Sequence, residues 1–193
     1  MLERILITGA HSTGKTTLAH ALRDRLAAGD EDGRKWDLVG EVARKLMARD
    51  GWTRDDVHRL DWQEANLAEQ LRVETAAAVP YIADRCLLDP AAYATLHHPE
   101  NALLDTSAIR PLLDLYRNPR RTLIVHLLPV ERFAHDDGVR SLTGSMEEWW
   151  SCSAMFGEIL KKARVEWVEM GDEVEDLKER VERVLSWMRE REA

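Results

Sequence analysis

The chain has 193 residues, 45% apolar and 32% charged, with a net charge of −8. That is enough chain for one domain with a buried core, and its acidity excludes a generic polyanion binder, because affinity for a phosphate backbone comes from clustered Lys and Arg. No stretch approaches the roughly 20 apolar residues of a membrane span. The start, Met1-Leu2-Glu3-Arg4, runs into Ile5-Leu6-Ile7 without the pattern of a signal peptide. Cys86 and Cys152 form neither a metal spacing nor a disulfide framework, which fits a reduced cytoplasmic compartment.

Apolar strand-like runs alternate with helical patterns along the chain. The first predicted strand covers residues 4–8, followed by a glycine loop and a helix over 15–27. A second strand is predicted over 36–40. Thr53-Arg54-Asp55-Asp56 is a capping-box start with Asp in the place of Glu. Val57, Leu60, Leu67, Ala68 and Leu71 keep helical spacing after it, as far as Ala78. Pro80 precedes a third strand over 81–83, where a strand tolerates proline. A fourth follows over 122–128 and a fifth over 165–170. Between these last two, Trp149, Trp150, Met155, Phe156 and Leu160 share a helix. The final helix, about 173–189, carries the stripe Val174, Leu177, Val181, Val184 and Met188, and the acid-first pairs Asp176/Arg180 and Glu179/Arg183. Alternating strands and helices of this kind predict a three-layer α/β fold, a mostly parallel sheet with helices on both faces, in one domain over 1–193. Ligands then bind at the carboxyl ends of the strands.

The glycine loop carries the strongest chemistry. Gly9-Ala10-His11-Ser12-Thr13-Gly14-Lys15-Thr16 is a complete G-x-x-x-x-G-K-T pattern with a strand before it and a helix after it. Glycines let backbone N–H groups curl around phosphate oxygens, and the following helix turns its positive end to the same anion. Lys15 reaches the β and γ phosphates, and the Thr16 hydroxyl is placed for Mg²⁺. Gly9, Ser12, Thr13, Gly14, Lys15, Thr16 and Thr17 are therefore the candidate ATP-binding residues. A GTPase would need an N-K-x-D segment, and no asparagine begins one; a motor ATPase would show an apolar run ending in Asp-Glu, whereas the third run ends Ala83-Asp84-Arg85.

Glu41, just after the second strand, and Asp84, at the end of the third, both fall beside this loop. One carboxylate there accepts a proton from an attacking hydroxyl and another orders Mg²⁺; the residues alone leave open which does which. Arg85 is placed for substrate or phosphate. The segment 129–145 follows the fourth strand as a lid would, and its Arg132 and Arg140 are candidates to stabilise the transferring phosphate. His97-His98-Pro99 reads as a turn, since no further ligand has metal spacing. Among seven tryptophans, Trp52, Trp62, Trp149 and Trp150 are large enough to stack a base but read first as packing. Arg110, Arg117, Arg120 and Arg121 form the densest basic group and read as solvated loop charge.

Four segments carry a family likeness: Thr8 through Thr17, Gly40-Glu41-Val42-Ala43-Arg44, Ala83-Asp84-Arg85-Cys86-Leu87-Leu88-Asp89, and Asp136-Asp137-Gly138-Val139-Arg140-Ser141. On these the chain resembles the small P-loop kinases of nucleosides and nucleoside monophosphates, above all a branch containing the ribosylnicotinamide-kinase part of a bacterial NAD regulator. The Asp84-Arg85 pair resembles the one closing the third strand of deoxynucleoside kinases, while the second segment lacks the proline often found after the glutamate there. The resemblance implies ATP- and Mg²⁺-dependent transfer of the γ-phosphate to a hydroxyl of a nucleoside, nucleotide or similar small molecule. It implies Lys15, Glu41, Asp84 and Arg140 as catalytic, Glu41, Arg44, Arg85 and Arg132 as substrate-binding, and Thr16 with Asp84 as the metal pair. Two alternatives share the loop: a kinase acting on a hydroxymethylated pyrimidine within phage DNA, and a nucleotide-dependent regulatory ATPase module. No membrane partner is expected.

Overall fold

The computed structural model describes residues 1–27, 29–30, 33–101, 103–133 and 145–192. Among these residues five strands form one parallel sheet: β1 Arg4–Thr8, β2 Asp37–Val39, β3 Tyr81–Asp84, β4 Thr122–Leu127 and β5 Val168–Met170, in the order β2-β3-β1-β4-β5. Register sets Ile7 beside Asp84 and Thr8 beside His126. The strands are short and apolar because both faces are covered. Alternation along β1 sends Ile5 and Ile7 into one core, with Leu18, Leu22, Val181 and Val184, and Leu6 into the other, with Ala83, Leu88, Trp149 and Phe156.

Among the described residues seven α-helices surround the sheet: α1 Lys15–Leu26, α2 Val42–Asp50, α3 Leu60–Ala76, α4 Leu88–His97, α5 Arg110–Tyr116, α6 Met146–Ala163 and α7 Leu177–Glu192. α1 and α7 cover one face; α3, α4, α5 and α6 contribute to the core on the other. The three-layer α/β class and all five strands match expectation, with the outer strands trimmed. Chain leaving β1 turns toward β2, whereas chain leaving β3 crosses to β4 on the opposite side. The two exits diverge and open a crevice at the carboxyl ends of β1 and β3, where ligands of open α/β sheets bind.

Three expectations are corrected. The capping box at Thr53 forms, with the Asp56 carboxylate accepting the Thr53 N–H at 2.8 Å, but it starts a single 3-10 turn, Arg54–Asp56; the long helix begins separately at Leu60. The last helix begins at Leu177, because the Asp176 carboxylate accepts the N–H groups of Lys178 (2.8 Å) and Glu179 (3.1 Å) as an N-cap. For the same reason Asp176 is turned to its own helix start, and the Arg180 guanidinium points inward to backbone carbonyls. α2, α4 and α5 had no counterpart among the predicted elements.

Candidate active site

The loop between β1 and α1 is built from unusual backbone. Gly9 has φ 135° and a Cβ there would lie 2.5 Å from the Leu127 carbonyl oxygen on β4, so only glycine fits. Ser12 (φ 57°) and Gly14 (φ 86°) are also left-handed. Lys15 opens α1 and is buried; its ammonium donates to the Ala10 carbonyl and, at 3.2 Å, to the Thr13 hydroxyl. The Thr13 hydroxyl itself donates to Ala10 O at 3.0 Å. Ser12 and Thr13 are buried in the loop, while Thr17 faces outward from α1.

One residue further along α1, the Thr16 hydroxyl donates to Asp84 Oδ2 at 2.6 Å. This bond joins the expected nucleotide loop to the end of β3. The other Asp84 oxygen, Oδ1, is buried without a hydrogen-bond partner. A buried, unpaired carboxylate oxygen beside a threonine hydroxyl is a donor set suited to a hard divalent cation, which takes one or two carboxylates and otherwise water and phosphate. Among the described residues there is no group of three His, Cys, Asp or Glu side chains that would form an all-protein metal cage.

After Asp84 the chain turns sharply through Arg85, at φ 75°. Two buried acids hold this turn. Asp89, in the first turn of α4, accepts Cys86 N–H (2.9 Å), the Thr8 hydroxyl (2.9 Å) and the Arg85 guanidinium (3.2 Å). Burial raises its carboxyl above the usual range, opposed by Arg85, Lys15 and those hydrogen bonds. Glu74, from α3, accepts Leu87 N–H (3.0 Å), Gln70 Nε2 (2.9 Å), the Tyr81 hydroxyl (3.1 Å) and the Tyr116 hydroxyl. Burial pushes Glu74 up to about 7 against these four donors. Gln70 Nε2 also donates to the Arg85 carbonyl at 3.2 Å, so one amide braces both the acid and the turn.

Beside this turn lies a cavity of about 570 Å³, within the size range of small-molecule sites. Thr16, Glu41, Arg44, Asp84, Arg85 and Asp89 line it on the loop side, and Trp62, Gln63, Gln70 and Tyr93 line the far side. Glu41 is the N-cap residue just before α2, at φ 56°, and its carboxylate lies 3.2 Å from the Arg44 guanidinium. The Arg85 guanidinium sits 5.7 Å from the Tyr93 ring centroid. Trp62 is buried against Trp52 at 5.5 Å, so it supplies both core and cavity wall. The structure therefore brings Thr16, Glu41, Arg44, Asp84 and Arg85 to one space.

It does not bring Arg132 there. That residue is exposed and pairs with Glu175 at 2.8 Å, ahead of α7. Arg140, with most of the expected lid 129–145, lies outside the described residues. His98 Nε2 contacts the His58 carbonyl at 2.9 Å at the end of α4, in keeping with a turn. Sequence reading missed Asp89, Glu74, Gln70, Trp149 as a loop contact and Arg180. One signal was present for Glu74 and Gln70: polar residues at 63, 66, 70 and 74 recur at helical spacing and lie on the buried face of α3.

A family model described as an AAA domain matches residues 4–180. The chain belongs to this AAA domain family. No curated protein sequence matches the chain. Solved structures match nearly all of it at low identity. NadR protein in complex with NR is 19% identical with a TM-score of 0.67, over 98% of this chain and 51% of that one, so the present chain spans about half of NadR. Deoxyadenosine kinase from M. mycoides with bound dATP is 17% identical with a TM-score of 0.65, over 97% of this chain and 99% of that one. Shikimate kinase from Acinetobacter baumannii in complex with shikimate is 12% identical, with a TM-score of 0.57, over 98% and 94%. The fold of this AAA domain is thus that of the small P-loop kinases.

Proposed function

We propose that this AAA domain is an ATP- and Mg²⁺-dependent kinase that transfers the γ-phosphate to a hydroxyl of a nucleoside, nucleotide or similar small molecule, with residues 1–193 acting as one catalytic unit. The observation that carries this reading is the Thr16–Asp84 bond at the junction of loop and cavity. It sets the metal-and-phosphate end of one substrate beside a cavity for a second. The structural neighbours support it by their own names, which are kinases of a nucleoside and of a small acid.

In this reading Gly9, Ser12, Thr13, Gly14 and Thr17 hold the nucleotide, and Lys15 shifts from its loop partners to the β and γ phosphates. Thr16 and Asp84 would hold Mg²⁺, which would neutralise phosphate charge when bound. Asp84 is tied to Thr16, whereas Glu41 stands in the cavity and open to solvent. Glu41 is therefore the base. The acceptor oxygen attacks the γ-phosphorus, its proton passes to Glu41, the bond from that phosphorus to the β–γ bridging oxygen breaks, and ADP leaves. Arg44 and Arg85 orient the acceptor, and Trp62 and Tyr93 offer ring faces to a base. Arg132 and Arg140 remain candidates to close on the transferring phosphate from 129–145.

The deciding experiment is transfer from γ-labelled ATP to a panel of nucleosides, monophosphates and oligonucleotides with hydroxymethylated bases. Label is expected on a small acceptor, with Lys15→Ala lowering turnover at least about 10²-fold. Label on DNA alone would overturn the small-molecule acceptor, and steady ATP hydrolysis without any labelled acceptor would favour a regulatory module.

A further inference from the structure

A trans peptide points its C=O and the next residue's N–H in opposite directions. A phosphate loop that turns amides inward must therefore hold carbonyls outward, and a buried carbonyl needs a donor. Two of these carbonyls are held by side chains far away in sequence. His11 O accepts the Trp149 indole N–H at 2.8 Å, and Thr13 O accepts Arg180 Nη1 at 3.2 Å. Trp149 comes from α6, in the core on one face of the sheet; Arg180 comes from α7, on the other. The donors thus grip the loop from opposite layers.

Both side chains are fixed. Trp149 is 3% exposed and Arg180 2%. Arg180 is further held by the carbonyls of Val174 (2.7 Å) and Gly171 (3.2 Å), which belong to the connection from β5 to α7. The gripped peptides, 11–12 and 13–14, flank the left-handed Ser12 and lead into the left-handed Gly14. A non-glycine residue at positive φ is held there by its surroundings.

We propose that Trp149 and Arg180 are positioning residues for nucleotide phosphates: by holding His11 O and Thr13 O outward they aim the N–H groups of Ser12 and Gly14 at the bound anion. The inference rests on the reading that this loop binds MgATP, but not on the identity of the acceptor. Neither side chain needs to touch the nucleotide. Arg180 also keeps a positive charge behind the loop, in a site shielded from water, where it acts on phosphate more strongly than a surface charge would.

The test measures MgATP and MgADP dissociation constants by calorimetry without acceptor, together with the unliganded melting temperature. Trp149→Phe keeps the buried ring and removes the N–H; it is expected to weaken MgATP about three- to tenfold, as for one lost hydrogen bond. Arg180→Lys keeps the charge but not the fork, and is expected to weaken MgATP at least about tenfold. A purely structural role would lower the melting temperature and leave the dissociation constants of the folded variants unchanged, and that result would overturn the proposal. Hydrogen exchange of the Trp149 indole N–H in the unaltered protein keeps the test independent of variant folding. Slow exchange, slowed further by MgATP, is expected; fast exchange indifferent to MgATP would overturn it. If the unaltered protein binds no MgATP, the nucleotide reading fails first and takes this inference with it.

Discussion

At the scale of single residues, the two carboxylates beside the loop differ in what holds them. Asp84 is buried and bonded to Thr16, while Glu41 is solvent-exposed and paired with Arg44. Asp84→Asn is nearly isosteric and keeps an acceptor for Thr16, so the fold should persist. Turnover should fall at least about 10²-fold with a changed Mg²⁺ dependence; a wild-type rate and Mg²⁺ response would make Asp84 structural. Glu41→Gln should lower phosphoryl transfer by about 10²-fold or more while leaving the MgATP dissociation constant nearly unchanged. Equal losses in transfer and binding would count against its role as base.

Glu74 gives a prediction about pH. Its carboxyl titrates in an unfolded chain near 4.5 and is pushed up to about 7 in the fold. Between those values the native state holds a proton that the unfolded state has released. Stability tied to this group therefore falls as pH rises through the window and levels off above it. From pH 5 to 8 the melting temperature of the wild type should fall relative to that of Glu74→Gln; parallel curves would show that Glu74 does not titrate in that range.

At the scale of elements, α3 itself was legible, but the polar face it buries was hidden. Its buried stripe is Trp62, Gln63, Asn66, Leu67, Gln70 and Glu74, four of six polar. A search for apolar periodicity passes over such a helix face, because the face looks onto a cavity and a buried turn instead of a hydrocarbon core. The strands were legible because both sheet faces are buried and each run is short and apolar. The loop was legible because its backbone demands glycine at fixed places. α4 and α5 were hidden by proline: Pro90 and Pro111 lie in the first turn of their helices, where proline is tolerated, though it reads as a break. The trans-molecular contacts of Trp149 and Arg180 leave no local trace at all. The brace on the β3–α4 turn can be tested directly. Gln70→Leu strips a donor from both Glu74 and the Arg85 carbonyl, and should cost about 1–3 kcal/mol in urea unfolding. It should also raise the acceptor KM, since Gln70 lines the cavity. A variant as stable as the wild type would show that the turn needs no brace.

At the scale of the whole molecule, charge and topology favour a small acceptor. The chain is acidic, and two of its four clustered arginines are already engaged: Arg117 with Asp114 and the Ala163 carbonyl, Arg121 with Glu3. Binding to single- or double-stranded DNA at about 0.15 M salt should therefore be undetectable at micromolar protein; tight binding that weakens steeply with salt would revive a polymer acceptor. Among the described residues no helix is long and apolar enough to cross a membrane. The sheet order places the loop on the central strand, with helical layers on both sides, so each layer can reach it.

That central position has a consequence for how the protein is made. The glycine loop leaves the ribosome well before the Arg180 donor that meets Thr13, which lies 167 residues later. A nascent chain halted before Leu177 would carry every recognisable nucleotide motif while lacking the helix that steadies it. Ribosome-bound chains stalled at successive lengths should begin to be retained on ATP resin only once α7 has emerged, making α7 a checkpoint for the glycine loop.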